Sequence, residues 1–224
     1  MVYTMIDAAK EFWTDRNDLV VFEFGVYIGS YLEIFVEQNI YAQYFGFDSF
    51  EGLPKEQEDV PIGPRYHREG GYNAVVDLGV NTPEEAMDLL YNKHGDKGCN
   101  ITLIKKWYSD LTSGDVVTYN IPKAHCIHVD VDLYISTKQM WKFLIENNLL
   151  EEGCIITYDD LYTDEHLQTL FNEGRMDLDS LNYCSKDLGE NLAHTEVERE
   201  YDYQFKRLHF DTFQFIGRKS CIRL

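Results

Sequence analysis

The sequence predicts an α/β protein built on one mostly parallel sheet, and three observations carry that reading. Short β-rich apolar runs alternate with helix-like segments five times between Leu19 and Tyr158, the pattern of strands joined by crossover helices. Residues 203–210 and 212–217 then follow each other with almost no loop, which forces an antiparallel pair, because parallel strands need a crossover. Glycines and carboxylates collect where strands end, at Gly25, Asp48, Asp130 and Asp159, and sheets of this kind bind ligands at that edge.

Taken in order, residues 19–24 are a β-rich run stopped by Gly25, and residues 28–38 read as the first helix. Residues 44–47 form the second strand, closed by Asp48. The connection over residues 49–81 is rich in Gly and Pro; loops that long are lids or binding loops, or carry small elements of their own. Thr82 caps the next helix, Pro83 takes its first position and Glu85 completes a capping box. That helix runs to about His94. Residues 101–105 and 125–131 are the third and fourth strands, 136–147 the following helix, and 153–158 the fifth strand, ending in Asp159-Asp160. Residues 161–200 are acidic and helical in pieces, broken near Gly174 and Gly189. No repeat or linker divides residues 1–224, so one domain is expected.

Composition excludes whole classes of partner. Lys and Arg total 20 against 39 Asp and Glu, a formal charge of −19, which repels polyphosphate and argues against nucleic acid. Docking on an anionic membrane is disfavoured for the same reason. A hydrophobic fraction of 44% with 14% aromatics supplies a core and excludes disorder. Five cysteines without C-x-x-C spacing exclude a disulfide framework or zinc site and point to a reducing, cytoplasmic setting. The first dozen residues do not read as a secretory signal, and no apolar run approaches a membrane span.

Four constellations carry chemistry. Glu23, Gly25, Tyr27, Gly29 and Ser30 lie where the first strand turns into the first helix, a place where glycines admit a ligand to the backbone. The G-x-x-x-G spacing is neither the dinucleotide fingerprint nor a P-loop, and two such glycines also suit a plain tight turn. Glu23 is a charge in an apolar strand and needs a partner. Asp48, followed by Ser49, reads either as an acceptor for ribose hydroxyls or as an Asx turn. His128, Asp130 and Asp132 share one face of the fourth strand while strand geometry lasts. Asp159 and Asp160 end the adjacent strand, and so many acids together require protons or a cation; oxygen ligands suit a hard ion such as Mg²⁺.

In this order these residues resemble the macrocin O-methyltransferase (TylF-like) family of class I S-adenosylmethionine-dependent enzymes. The string from Gly46 through Phe47, Asp48, Ser49, Phe50, Glu51, Gly52 and Leu53 to Pro54 reads like that family's signature. Glu23 to Val26, Lys106 to Asp110, His128 to Thr137 and Gly153 to Asp160 support it, spanning about residues 19–161. The resemblance implies a Rossmann-like fold with seven strands, mostly parallel, an antiparallel C-terminal hairpin strand and helices on both faces. It implies that Glu23, Gly25 and Gly29, with Tyr27 and Ser30 in the same turn, line the methionine and adenosyl side of S-adenosylmethionine. Asp48, with Ser49, would bind the ribose, and Ser109 and Asp110 would lie near the adenine. Asp130, Asp159 and Asp160 match acids that hold a divalent cation, Mg²⁺ or another such as Mn²⁺; Asp132 matches an acid whose role is ligating or structural. The implied reaction methylates a hydroxyl of a sugar-containing molecule or glycan, with Asp130, His67 or His128 taking the proton. Residues 49–81 would be the lid or substrate loop, and 161–188 a variable insertion. Val131 and the pair Thr157-Tyr158 depart from the family pattern.

Competing readings remain at this stage. Asp130-Val131-Asp132 also suits a metal-dependent glycosyltransferase using a nucleotide sugar, although that leaves Gly25, Gly29 and the nine-residue string unexplained. A phosphatase with an aspartate nucleophile places such a motif after its first strand, not its fourth. A methyltransferase fold kept only as a binding subunit would have no need of Asp130, Asp159 and Asp160. Whether the chain forms homo-oligomers is open.

Overall fold

The structure, a computed structural model, describes residues 5–13, 18–38, 43–60, 67–95, 100–161, 168, 169, 171–174, 189–209 and 211–218. Most of the acidic stretch read as helical pieces and as an insertion, 162–188, lies outside them.

Apolar runs become the strands β1 (Val20–Phe24), β2 (Gln43–Asp48), β3 (Asn100–Lys105), β4 (Ala124–Val129) and β5 (Leu150–Tyr158). The innermost, β1 and β4, are buried at every position, as strands covered on both faces must be. The closing hairpin is β6 (Tyr203–Arg207) and β7 (Thr212–Arg218). Together they make one seven-stranded sheet in the order β3-β2-β1-β4-β5-β7-β6. The first five strands pair in parallel, and β7 runs antiparallel to both β5 and β6. Strand order reverses between β1 and β4, and ligand sites open outside the strand ends at such a switch point.

Helices cover both faces. Among the described residues they are α1 (Met5–Phe12), α2 (Ser30–Gln38), α3 (Ala74–Asp77), α4 (Pro83–His94), α5 (Ser113–Thr118), α6 (Tyr134–Glu146) and α7 (Gly189–Glu200). One face packs Phe22, Phe24, Phe45, Phe47, Ile127 and Ile156 against Met140, Trp141 and Phe143 of α6 and Val197 of α7. The other packs Val21, Tyr44, Cys126 and Ile155 against Met5 and Ala8 of α1, Leu32 and Phe35 of α2, and Leu90 of α4. Cys126 and Cys154 are buried free thiols.

Local chemistry sets the boundaries. The Thr82 side chain accepts from the Glu85 amide at 3.2 Å, with Pro83 in the first turn, as the sequence predicts, but the Glu85 carboxylate accepts from Asn81 N at 2.8 Å instead of closing the expected capping box. The fourth strand stops at Val129, two residues short of the expected 131, and Asp132 adopts a left-handed φ of 59°. The strand-face argument that grouped His128, Asp130 and Asp132 therefore fails beyond Val129, and Asp132 is aimed by a turn instead. The helix expected from residue 28 begins at Ser30, because Gly29 has a φ of 78°. Tyr158, unexpected in its strand, joins three elements: Trp141 Nε1 donates to its hydroxyl at 3.0 Å, and that hydroxyl lies 2.9 Å from His194 Nδ1 on α7. Thr157 beside it meets Thr212 of β7, their hydroxyl oxygens 3.3 Å apart. These bonds fix α6 and α7 against β5, and both helices contribute to the site below.

Candidate active site at the strand ends

A cleft open to solvent lies over the carboxyl ends of β1, β2, β4 and β5. Hydrogen bonds beyond the strands hold those ends in register. Gly25 N donates to Phe47 O at 3.1 Å, Asp130 N to Phe24 O at 2.9 Å and Asp159 N to Val129 O at 2.9 Å. Gly25 is required there twice over. Its φ is 94°, and a Cβ on it would stand 1.7 Å from the Asp130 carbonyl oxygen, a collision with rigid backbone.

Asp48 organises the next turn. Its Oδ2 accepts from Tyr27 N at 2.7 Å and its Oδ1 from Phe50 N at 2.7 Å. Both partners hold left-handed conformations, φ 48° and 60°, which non-glycine residues adopt only where the surroundings compensate. Burial pushes the Asp48 carboxyl up, and the backbone amides oppose that shift. Each carboxylate oxygen retains acceptor capacity for a ligand. Ser49, Trp107 and Tyr108 complete this wall, with the Tyr108 hydroxyl donating to Phe47 O at 3.2 Å.

Acids gather at the β4 and β5 ends. Donor atoms of His67, Asp132 and Asp160 all lie within 4.8 Å of one another, with His67 Nε2 3.3 Å from Asp132 Oδ1. Asp130 and Asp159 line the same cleft outside that group. Glu190, which sequence reading did not single out as a site residue, supports the cluster from below. Its Oε1 accepts from Val131 N at 3.1 Å and its Oε2 from Asp160 N at 3.4 Å, so one buried side chain ties the two acid-bearing loops together. Burial, then the neighbouring acids, push Asp130, Asp132 and Glu190 well above the usual carboxylate range. Asp160 rises to about 7 through burial and then Asp159, and Asp159 rises through burial and then Asp211. Burial lowers His67 below the usual histidine value. Carboxylates crowded in this way hold protons or a cation. Oxygen donors with one imidazole fit a hard divalent ion.

The cleft brings together eight of the expected residues: Gly25, Tyr27, Asp48, Ser49, His67, Asp130, Asp159 and Asp160. Six others stand outside its lining. Glu23 is buried in β1, and its partner is the Tyr44 hydroxyl, which donates to Oε2. His128 sits opposite Glu23 in the sheet, stacked under Tyr31 with centroids 3.5 Å apart; burial drives its pKa down to about 3. Gly29 serves packing, since a Cβ there would meet Leu90 Cδ2 at 2.6 Å. Ser30, Ser109 and Asp110 are exposed. Residues that sequence reading left out of the site but that line the cleft include Tyr72, Ser136 and Gln139. None of the three bears a signal in sequence, because their placement depends on how the loop and α6 are folded back.

No family model and no curated protein matches the chain. Solved structures do match it in fold. The calicheamicin methyltransferase CalS11 aligns at a TM-score of 0.61 and 18% identity, over 95% of this chain and 76% of that one. The O-methyltransferase NovP aligns at 0.58 and 19%, over 96% and 78%. An apo structure of CalS11, described as a TDP-rhamnose 3'-O-methyltransferase, gives 0.51 and 17%, over 95% and 77%. These likenesses define the class: the chain has the Rossmann-like fold of the methyltransferases. Its acid-lined cleft lies at the switch point where that fold binds ligands.

Proposed function

We propose that the chain is an S-adenosylmethionine-dependent O-methyltransferase acting on a hydroxyl of a sugar-containing molecule, assisted by a divalent cation. The single observation that carries this reading is one cleft with two chemically different ends. Gly25 and Asp48 form a neutral backbone turn with a carboxylate acceptor, and Asp130, Asp132, Asp159 and Asp160 line the cleft beside it, from the buried Asp132 to the exposed Asp159. The resemblance to the macrocin O-methyltransferase family supports the same assignment, as does the fold shared with the methyltransferase CalS11 and the O-methyltransferase NovP. A nucleotide-sugar glycosyltransferase would use the acids but leave the Gly25 and Asp48 turn without a task.

When bound, S-adenosylmethionine supplies an electrophilic methyl group, and a divalent ion supplies charge stabilisation that lowers an alcohol's pKa. The chain does the rest. Gly25 leaves the backbone bare for close approach, and Asp48 accepts hydrogen bonds from ribose hydroxyls. Asp130, Asp159 and Asp160 would hold the ion together with Asp132 and His67, whose donor atoms group with those of Asp160, while Glu190 fixes the loops that bear Asp130, Asp132 and Asp160. Asp130 accepts the acceptor's proton. His67 with Asp132 is the other group in the cleft able to take it. Buried placement of His128 leaves it a structural role. The −19 charge favours a neutral acceptor over a polyanion.

The test is transfer of isotopically labelled methyl from S-adenosylmethionine to a panel of free sugars, glycosides and nucleotide sugars, with Mg²⁺ or with chelator. Label in a sugar product that disappears on chelation supports the reading. Label transferred equally well under chelation removes the cation, and transfer to nitrogen acceptors alone removes O-methylation.

A further inference from the structure

We propose that Glu56 is a positioning residue of the cleft, fixing the wall formed by the loop after β2 to the loop that carries Asp130 and Asp132. The inference rests on the reading of the cleft as the methyl-donor site only for its effect on ligand kinetics; the geometry stands without it.

Helix α6 follows the acid loop directly, and its capping position is Leu133, which has no side chain able to accept from the first-turn amides. First-turn amides left bare inside a protein are costly. Here the missing cap comes from Glu56, distant in sequence. Its Oε2 accepts from Tyr134 N at 2.9 Å and its Oε1 from Ile135 N at 3.0 Å. The same Oε1 accepts from Gln57 N at 2.8 Å. The side chain is 6% exposed, so water does not compete well for these bonds. A carboxylate at a helix N-terminus also gains from the helix dipole and makes charge-assisted hydrogen bonds.

Among the described residues, α3 and α4 are capped locally. Asn73 caps α3 from its own cap position, and Thr82 does the same for α4. Only a tertiary cap ties two walls of the cleft together. On the loop side, Leu53 and Pro54 stand three and two residues before Glu56, and both line the cleft. On the helix side, Ser136 and Gln139 line it within the first two turns, and Asp132 precedes the cap by one residue. The loop neck is pinned independently, by Leu53 N to Gly71 O at 2.8 Å and Gly70 N to Leu53 O at 2.9 Å. Glu56 therefore joins the Leu53-Pro54 wall to the start of α6, next to the acid loop, in addition to the His67–Asp132 contact.

Two measurements test this on the full chain, comparing wild type with Glu56→Gln, Glu56→Ala and the local cap variant Thr82→Ala. Without ligand, amide hydrogen exchange in Glu56→Ala is expected to quicken in residues 51–57 and in 130–135 together. Quickening confined to the first turn of α6 would mean an ordinary cap and would overturn the proposal. With S-adenosylhomocysteine as probe, Glu56→Ala is expected to release it roughly 3- to 30-fold faster, the factor that loss of a helix cap carries. Glu56→Gln, which keeps one carbonyl acceptor, falls between. Thr82→Ala lowers the melting temperature but leaves release unchanged. Equal release rates in wild type and Glu56→Ala, or the same acceleration in Thr82→Ala, would also overturn it. Failure of wild type to bind S-adenosylhomocysteine sinks the donor reading instead, and the exchange result still decides the role of Glu56.

Discussion

Replacing Asp160 by Asn should stabilise the metal-free protein at alkaline pH, although Asp160 is assigned to ion binding. Asp160 is half-buried among acids, and its pKa is pushed from 3.8 to about 7 by desolvation and then by Asp159. The folded state therefore holds a proton that the unfolded chain has released. A group with a raised folded pKa gives its full contribution below the unfolded value and loses it as pH rises through the folded value. The difference of about 3 pH units corresponds to on the order of 4 kcal/mol at 1.36 kcal/mol per unit. Between about pH 5 and about pH 8 the declining stretch covers about two units, on the order of 3 kcal/mol. That is a large share of the roughly 5–15 kcal/mol by which domains are stable. Asparagine cannot ionise, so the variant escapes this decline, and losing one charge also relieves Asp130 and Asp132, which Asp160 pushes up. The assay is urea denaturation of both proteins at the two pH values, with chelator. The gap between them should open in favour of Asp160→Asn as pH rises. Saturating Mg²⁺ should close or reverse it at the higher pH, since an ion bound only by the folded state adds stability. A gap independent of pH, or one that favours wild type more strongly at high pH without metal, would refute the reasoning.

Three further outcomes follow from the same structure. Gly25→Ala places a methyl group against the Asp130 carbonyl and demands a left-handed backbone; it should cost about 2–6 kcal/mol by combining overpacking with strain, read by denaturation, and a near-neutral result would contradict the described strand-end packing. Asp159→Asn should abolish methyl transfer while S-adenosylhomocysteine titration changes little, whereas full turnover in that variant would remove Asp159 from the ion site. Tyr158→Phe takes away the acceptor of Trp141 Nε1 and the partner of His194 Nδ1, so a loss of about 1–3 kcal/mol is expected, and an unchanged urea midpoint would refute the role of that hydroxyl in docking α7.

Strands β1, β2, β4 and β5 were legible because each carries a short apolar run stopped by glycine or aspartate, and burial on both faces demands that composition. The Gly25 turn and the acids at Asp48, Asp130 and Asp159-Asp160 were legible because they fall at strand ends, a position fixed by local pattern alone. The same rule grouped His128 with them, and the structure places it outside the cleft lining. Alternation along a strand states which face a side chain takes, not whether that face carries the cleft or an overlying helix; Tyr31 covers it. Asp132 needed a left-handed turn that no glycine announced. Glu190 and Glu56 were illegible in principle, since their partners are backbone amides far along the chain, and a backbone amide has no sequence signature. The first helix, Met5–Phe12, was missed as well, although Thr4 and Asp7 have the spacing of a helix cap; it is held by packing of Met5 and Ala8 on the sheet.

The central claim is that the Gly25 and Asp48 end of the cleft binds S-adenosylmethionine. Calorimetric titration with S-adenosylhomocysteine, beside UDP- and GDP-sugars and each with Mg²⁺ or chelator, addresses it directly. One-to-one binding of S-adenosylhomocysteine is expected, lost in Asp48→Ala, whether or not metal is present. Binding of a nucleotide sugar with no response to S-adenosylhomocysteine would contradict it.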